Sequence, residues 1–288
     1  MKTLSFLLLY ILPCCALAQN HYKVYSSTEH KVISLDEIVT HMNGADVLFF
    51  GEEHNDTVQH KIELLILQKL NTKYTGKLAL SMEMFETDVQ PIVNEYLSGL
   101  ITEKFLLSDA RAWPNYQTDY RPLIELAKAN RLPVVAANAP GRYVNLTNRK
   151  GLTSLAQLST EAKACLPPGP IDTAAGAYYE KFSQLMGGHG SMGGMQLYQA
   201  QNLWDATMGW SIAHFYKNHP GFKILQINGG FHSEDKLGTV AQLKHYAPAV
   251  RTLNIAAFAD DSFANPDWQK YAGKGDYIII TDYKSDNQ

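Results

Sequence analysis

Two copies of one short pattern carry the residues best suited to chemistry. Gly51-Glu52-Glu53-His54 closes one apolar run, and Gly229-Gly230-Phe231-His232 closes another. Each reads glycine, two residues, histidine. Between them Glu83 stands inside Ser81-Met82-Glu83-Met84-Phe85, where a carboxylate is costly unless it is paired or faces a site. Imidazole titrates near neutral pH and ligates first-row metals, so His54, Glu83 and His232 suit a divalent metal or acid–base work. The zinc-helix pattern with two histidines four residues apart does not occur in the sequence. Three further polar residues are candidates for orienting the histidines: Glu53, beside His54, and the pair Gln201 and Asp205. The pair is four residues apart, so it shares a helix face, and its members can serve His54 or His232 or simply each other.

These groups must be positioned by a sheet. Short apolar runs predict strands over Asp46–Phe50, Lys77–Met84, Leu132–Ala137, Phe222–Ile227, Arg251–Phe258 and Tyr277–Thr281. Helical spacing predicts helices over Val58–Leu70, Thr87–Leu100 and Tyr120–Asn130, with Pro91 tolerable in a first turn. The alternation argues an α/β fold: a mostly parallel sheet flanked by helices. Both glycine–histidine motifs and Glu83 then fall at strand ends, where open α/β sheets bind ligands. The rhythm breaks after Pro140. Helices are expected over Ala174–Met186 and Gln196–Tyr216, joined by a glycine-rich connector that holds His189. About residues 141–218 thus read as a helical insertion, since so long a stretch needs structure of its own.

Composition sets the remaining bounds. The chain has 288 residues, 45% hydrophobic and 18% charged, so it can bury a core without disulfides. A net charge of -3 and the lack of a basic stripe argue against nucleic acid as a partner. Lys2, the apolar run Leu4–Leu12 and Ala16-Leu17-Ala18 read as a signal peptide over residues 1–18, leaving 19–288 as the mature chain. Export to the periplasm or outer cell envelope follows. A lipid tether through Cys15 is the alternative, although Leu12 and Pro13 are poor neighbours for one. Cys165 would then be alone in the mature chain, a small apolar residue with no disulfide to make.

The two G-x-x-H motifs, with a strand-borne glutamate between them, resemble the Tiki/erythromycin-esterase-like superfamily. More of the chain resembles its ChaN branch of haem-binding uptake proteins. The matching stretches include Gly51 to Asn55, Met82 to Phe85, Asp119 to Leu123, Ala137 to Pro140, Gln199 to Asp205 and Gly229 to His232, in family order. Gly141 departs from the pattern, which expects arginine directly after Pro140. The resemblance implies haem and its iron as ligand, a homodimer, and ligation through a tyrosine and a histidine. Tyrosinate is a hard donor suited to ferric haem. Tyr178, Tyr179, His189 and Tyr198 are the candidates, with Met186, Met192 and Met195 nearby to pack on a flat macrocycle. A binding protein is the favoured reading. The alternative is a Tiki-like hydrolase, metal-dependent or His/Glu-dependent, with His54, Glu83 and His232 catalytic.

Overall fold

Apolar runs without polar alternation become the middle strands of a parallel sheet, because both of their faces are covered. The computed structural model describes residues 21–173, 176–187 and 194–284. Residues 1–18, the expected signal peptide, with Cys14 and Cys15, and His189 of the connector, lie outside the described residues. The strands are β1 (Tyr22–Ser26), β2 (Lys31–Ile33), β3 (Val47–Glu52), β4 (Leu78–Glu86), β5 (Val134–Asn138), β6 (Lys223–Gly229), β7 (Thr252–Ala259) and β8 (Tyr277–Thr281). They form one sheet in the order β2-β1-β8-β7-β3-β6-β4-β5. From β8 to β5 the pairings are parallel; β1 and β2 add an antiparallel hairpin at one edge.

The helices are α1 (Leu35–His41), α2 (Thr57–Lys73), α3 (Gln90–Leu97), α4 (Glu103–Asp109), α5 (Arg121–Asn130), α6 (Gly141–Lys150), α7 (Thr160–Lys163), α8 (Ala177–Leu185), α9 (Gly194–Asn218) and α10 (Thr239–Tyr246). The single helix expected over Thr87–Leu100 is a 3-10 turn followed by α3, because Pro91 opens a new helix. Side chains alternate across β3. Leu48 and Phe50 pack with Ile62 and Ile66 of α2 and Leu123 of α5. Val47 and Phe49 pack on the other face with Met208 and Ile212 of α9 and Leu243 of α10. The long helix α9 is therefore a layer of the main core as well as part of the helical stretch between β5 and β6. Among the described residues no helix is long and apolar enough to cross a membrane.

Strand order is what gathers the polar groups. β6 lies between β3 and β4, and Glu52 of β3 pairs in register with Gly229 of β6. Three adjacent strands thus bring His54, His232 and Glu83 to one rim. Helix α2 is aimed from that rim by Asp56. This fully buried residue caps the helix by accepting from Val58 N and Gln59 N, and it also accepts the Thr281 hydroxyl at 2.5 Å. Asp56→Ala removes the cap and strands a buried hydroxyl, so it should cost about 2 kcal/mol or more. Asp56→Asn keeps an acceptor oxygen and should cost less. Urea unfolding of both variants checks the ranking, and equal losses would contradict the cap's role.

Candidate functional site

The two glycine–histidine motifs interlock. A side chain at Gly229 would meet His54 Nε2 at 2.6 Å, and one at Gly51 would meet Ser233 Oγ at 2.7 Å and Gly230 Cα at 3.1 Å. Each motif's glycine makes room for the other motif's loop, which is why glycine is needed at the end of two adjacent strands. Glu83 closes the third side. Its Oε2 accepts from Gly229 N at 2.7 Å, and its Oε1 lies 3.5 Å from His232 Nε2. The structure therefore brings His54, Glu83 and His232 together. Glu83 and His232 are buried, while the His54 side chain keeps 41% of its surface exposed at the mouth.

Each histidine is backed by a buried acid. His54 Nδ1 donates to Glu52 Oε1 at 2.7 Å, and the Tyr120 hydroxyl donates to the same oxygen at 2.6 Å. Glu52 can only accept, so His54 carries its proton on Nδ1 when neutral and turns Nε2 to the pocket. Burial works against the charged form of Glu52. The hydrogen bond from His54, with His60 and Glu63 close by, outweighs it and holds the carboxyl well below the ordinary range. Burial also pushes the His54 imidazole down, but the Glu52 hydrogen bond and the charge of Glu83 prevail and raise it.

His232 has its own partner on α9. Its Nδ1 lies 2.7 Å from Asp205 Oδ1, which also accepts the Thr239 hydroxyl at 2.9 Å. The Tyr178 hydroxyl donates to Asp205 Oδ2 at 2.5 Å and accepts from Gln201 Nε2 at 3.0 Å. Asp205 and Gln201 thus serve His232, not His54. Burial alone would lower the His232 imidazole; the carboxylates of Glu83 and Asp205 instead push it up to about 9. Trp204 packs between two apolar clusters and meets the His232 ring edge-on.

Other expectations need correction. Glu53 does not orient His54: its Oε1 accepts from Ala259 N at 3.0 Å, because alternation along β3 turns Glu52 inward and Glu53 toward β7. The divalent-metal expectation also lacks its donor set. Among the described residues no three His, Cys, Asp or Glu side chains are arranged to hold a metal ion. Of the tyrosines, Tyr198 is buried among Tyr178, Tyr179 and Phe182. Tyr178 spends its hydroxyl on Asp205, and burial beside that carboxylate raises the cost of making tyrosinate. Tyr179 is half-buried, and among the described residues its hydroxyl makes no hydrogen bond. Sequence reading missed Glu52, His60, Glu63, Asp119 and Tyr120 as members of the site. A signal existed: His60 and Glu63 stand one turn apart on the apolar face of α2, where polar residues need a reason.

The charged state of His232 gives the fold a pH signature. Its folded value of about 9 lies above the ordinary 6.5, so its contribution is full below pH 6.5 and is lost as pH rises toward 9. The gap corresponds to about 3 kcal/mol. Unfolding free energies from urea titrations should fall across that window, and His232→Gln should shrink the fall. A wild-type profile that is flat there would contradict the charged pairing.

Comparison with known proteins places this geometry. The fold matches the solved structure of ChaN of Campylobacter jejuni, described as showing cofacial heme binding, with a TM-score of 0.69 and 13% identity over 90% of this chain and 96% of that one. At that identity the likeness is one of fold. A segment of 130 residues is 26% identical to Protein RETICULATA-RELATED 5, chloroplastic, of Arabidopsis thaliana; it spans 43% of this chain and 17% of that protein. The model of the family described as haem-binding uptake, Tiki superfamily, ChaN matches residues 38–243. With most of its length and both glycine–histidine motifs inside that match, the chain belongs to the ChaN family of the Tiki superfamily.

Proposed function

We propose that this protein binds haem outside the cytoplasm and takes part in haem capture or uptake. Family membership supports the reading, and one observation carries it to a place on the surface. Leu185 at the end of α8, Met186 just after it and Met195 at the start of α9 are 67%, 47% and 52% exposed. They flank the connector with His189, and Tyr179 lies two turns back on α8. Exposed apolar and thioether side chains beside a hydroxyl without a hydrogen bond suit a flat, apolar macrocycle with a ferric centre. Haem would supply that centre; the chain would supply Tyr179 as the oxygen donor and His189 as a second polar contact. A surface patch of this kind also favours a second copy of the chain closing over it.

A second reading rests on the pocket of His54, Glu83 and His232. Two imidazoles, each backed by a buried carboxylate and facing a third, form an acid–base arrangement independent of the haem patch. In this reading His54 takes a proton from water through Nε2, and the charged His232 stabilises negative charge that develops on a bound carbonyl oxygen.

The two readings separate by mutation. Ferric haem added to the mature protein and then desalted should give a tyrosinate charge-transfer band. Tyr179→Phe should lose that band, while Tyr198→Phe, His54→Ala and His232→Ala should keep it. Dimer content should rise with haem at micromolar protein. A wild type that retains no haem would sink the binding reading. Turnover of a p-nitrophenyl ester lost in His54→Ala would then favour the second.

Export is part of the same proposal and is supported by residues 1–18. N-terminal sequencing of protein from its native cells should start at Gln19. A lipid-bearing start at Cys15 would replace soluble export with a membrane tether.

A further inference from the structure

Behind His54 lies a cluster of buried acids with too few donors. Glu63 on α2 is fully buried, and neither of its carboxyl oxygens has a hydrogen-bond partner of normal geometry; the same holds for Glu52 Oε2. The groups around it come from four elements. Glu52 and His54 belong to β3 and the turn after it. Asp56 and His60 belong to the start of α2. Asp119 and Tyr120 come from the π-helical turn Tyr116–Tyr120, and Thr281 from β8. His60 stands between two acids, with Nε2 3.2 Å from Glu52 Oε2 and Nδ1 3.3 Å from Asp119 Oδ1. Among the described residues no lysine or arginine is paired with Glu52, Glu63 or Asp119.

Two adjacent buried carboxylates that are both ionised repel each other with little solvent to screen them, whereas sharing one proton removes the repulsion and supplies the missing donor. We propose that Glu63 is a positioning residue for His54: its carboxylic acid donates a hydrogen bond to Glu52 and so limits how strongly Glu52 holds the imidazole. Burial, reinforced by Glu52, Asp119 and Asp56, raises the Glu63 carboxyl well above its ordinary value, while Glu52 moves the other way, so the proton resides on Glu63. Glu52 then spreads its charge over three donors: Glu63, Tyr120 and His54. With that charge shared, His54 can release the Nε2 proton into the pocket. Without Glu63 more charge falls on Oε1 and the imidazolium is over-stabilised. The inference deepens the acid–base reading of this pocket and rests on that reading only for its use in turnover.

The test is a histidine side-chain NMR titration of the full mature chain, with His54→Ala assigning the resonance. Glu63→Gln keeps a donor without a charge, so the His54 midpoint should stay where it is. Glu63→Ala should raise it by about one pH unit, a tenfold tighter hold on the proton. A fall in the midpoint in Glu63→Gln would mean that Glu63 is an ionised counter-charge, and an unchanged midpoint in Glu63→Ala would mean that it only fills space. Either result overturns the proposal. If Glu63→Ala does not fold, infrared spectroscopy decides. The wild type at neutral pH should show the carbonyl stretch of a protonated carboxyl that Glu63→Gln lacks; a wild type without that band is equally fatal. None of these readouts requires haem or substrate. Full esterase activity in His54→Ala would sink the acid–base reading alone and leave the Glu63 result standing.

Discussion

A carboxylate with no exposed surface, Glu52, sets the terms for everything at the strand ends. Burying such a charge costs several kcal/mol unless donors surround it. That requirement explains features that otherwise look unrelated. Helix α2 turns His60 and Glu63 into the core instead of aliphatic side chains. The chain makes a wide π-helical turn at Tyr116–Tyr120, a form that often accompanies functional sites, and delivers the Tyr120 hydroxyl to Glu52. Asn115, just before that turn, donates to the His54 carbonyl at 3.1 Å and to Asp119 at 2.8 Å, tying the turn to the motif. His54 owes its orientation to this assembly.

His232 obeys the same rule with different parts. Its acid comes not from its own strand but from the middle of α9, and the donors that stabilise Asp205 are Thr239 and Tyr178. One histidine is thus served from the β3 rim and the other from the layer of helix that covers the sheet. The two meet only because β3 and β6 are neighbours and because glycine at both strand ends lets the loops pass through each other's side-chain space. The pocket is a property of the sheet's order.

Helix α8 divides the two chemistries. Successive residues on an α-helix point about 100° apart, so Tyr178 and Tyr179 cannot serve the same surface. Tyr178 turns inward to Asp205, with Lys181 beside it paired to Glu234 at 3.1 Å and Asp235 at 3.3 Å on the loop that follows His232. Tyr179 and Leu185 belong to the outer side. One short helix therefore both backs the strand-end pocket through Tyr178 and presents the patch proposed for haem.

Much of this was legible in the residues themselves. Six apolar runs marked the parallel strands β3 to β8, because a strand covered on both faces has no polar alternation to blur it. The G-x-x-H motifs and Glu83 stood out because polar groups at the ends of such runs need a purpose. Serine three residues before Glu37 also marks the capped start of α1, a signal that the apolar pattern alone passes over. The hairpin of β1 and β2 was not legible, since short edge strands carry little hydrophobic signal. Nor could local sequence tell Glu52 from Glu53 as the partner of His54, or Tyr178 from Tyr179 as the one with a hydroxyl to spare. Those choices depend on which face of a strand or helix meets which neighbour. Asp205 and His232 are 27 residues apart and Tyr120 and Glu52 are 68 apart. Pairs so distant are joined only by strand order and helix packing, whose energy comes from apolar contacts across the whole core, so the sequence by itself named the chemistry and the tertiary structure alone decided the partners.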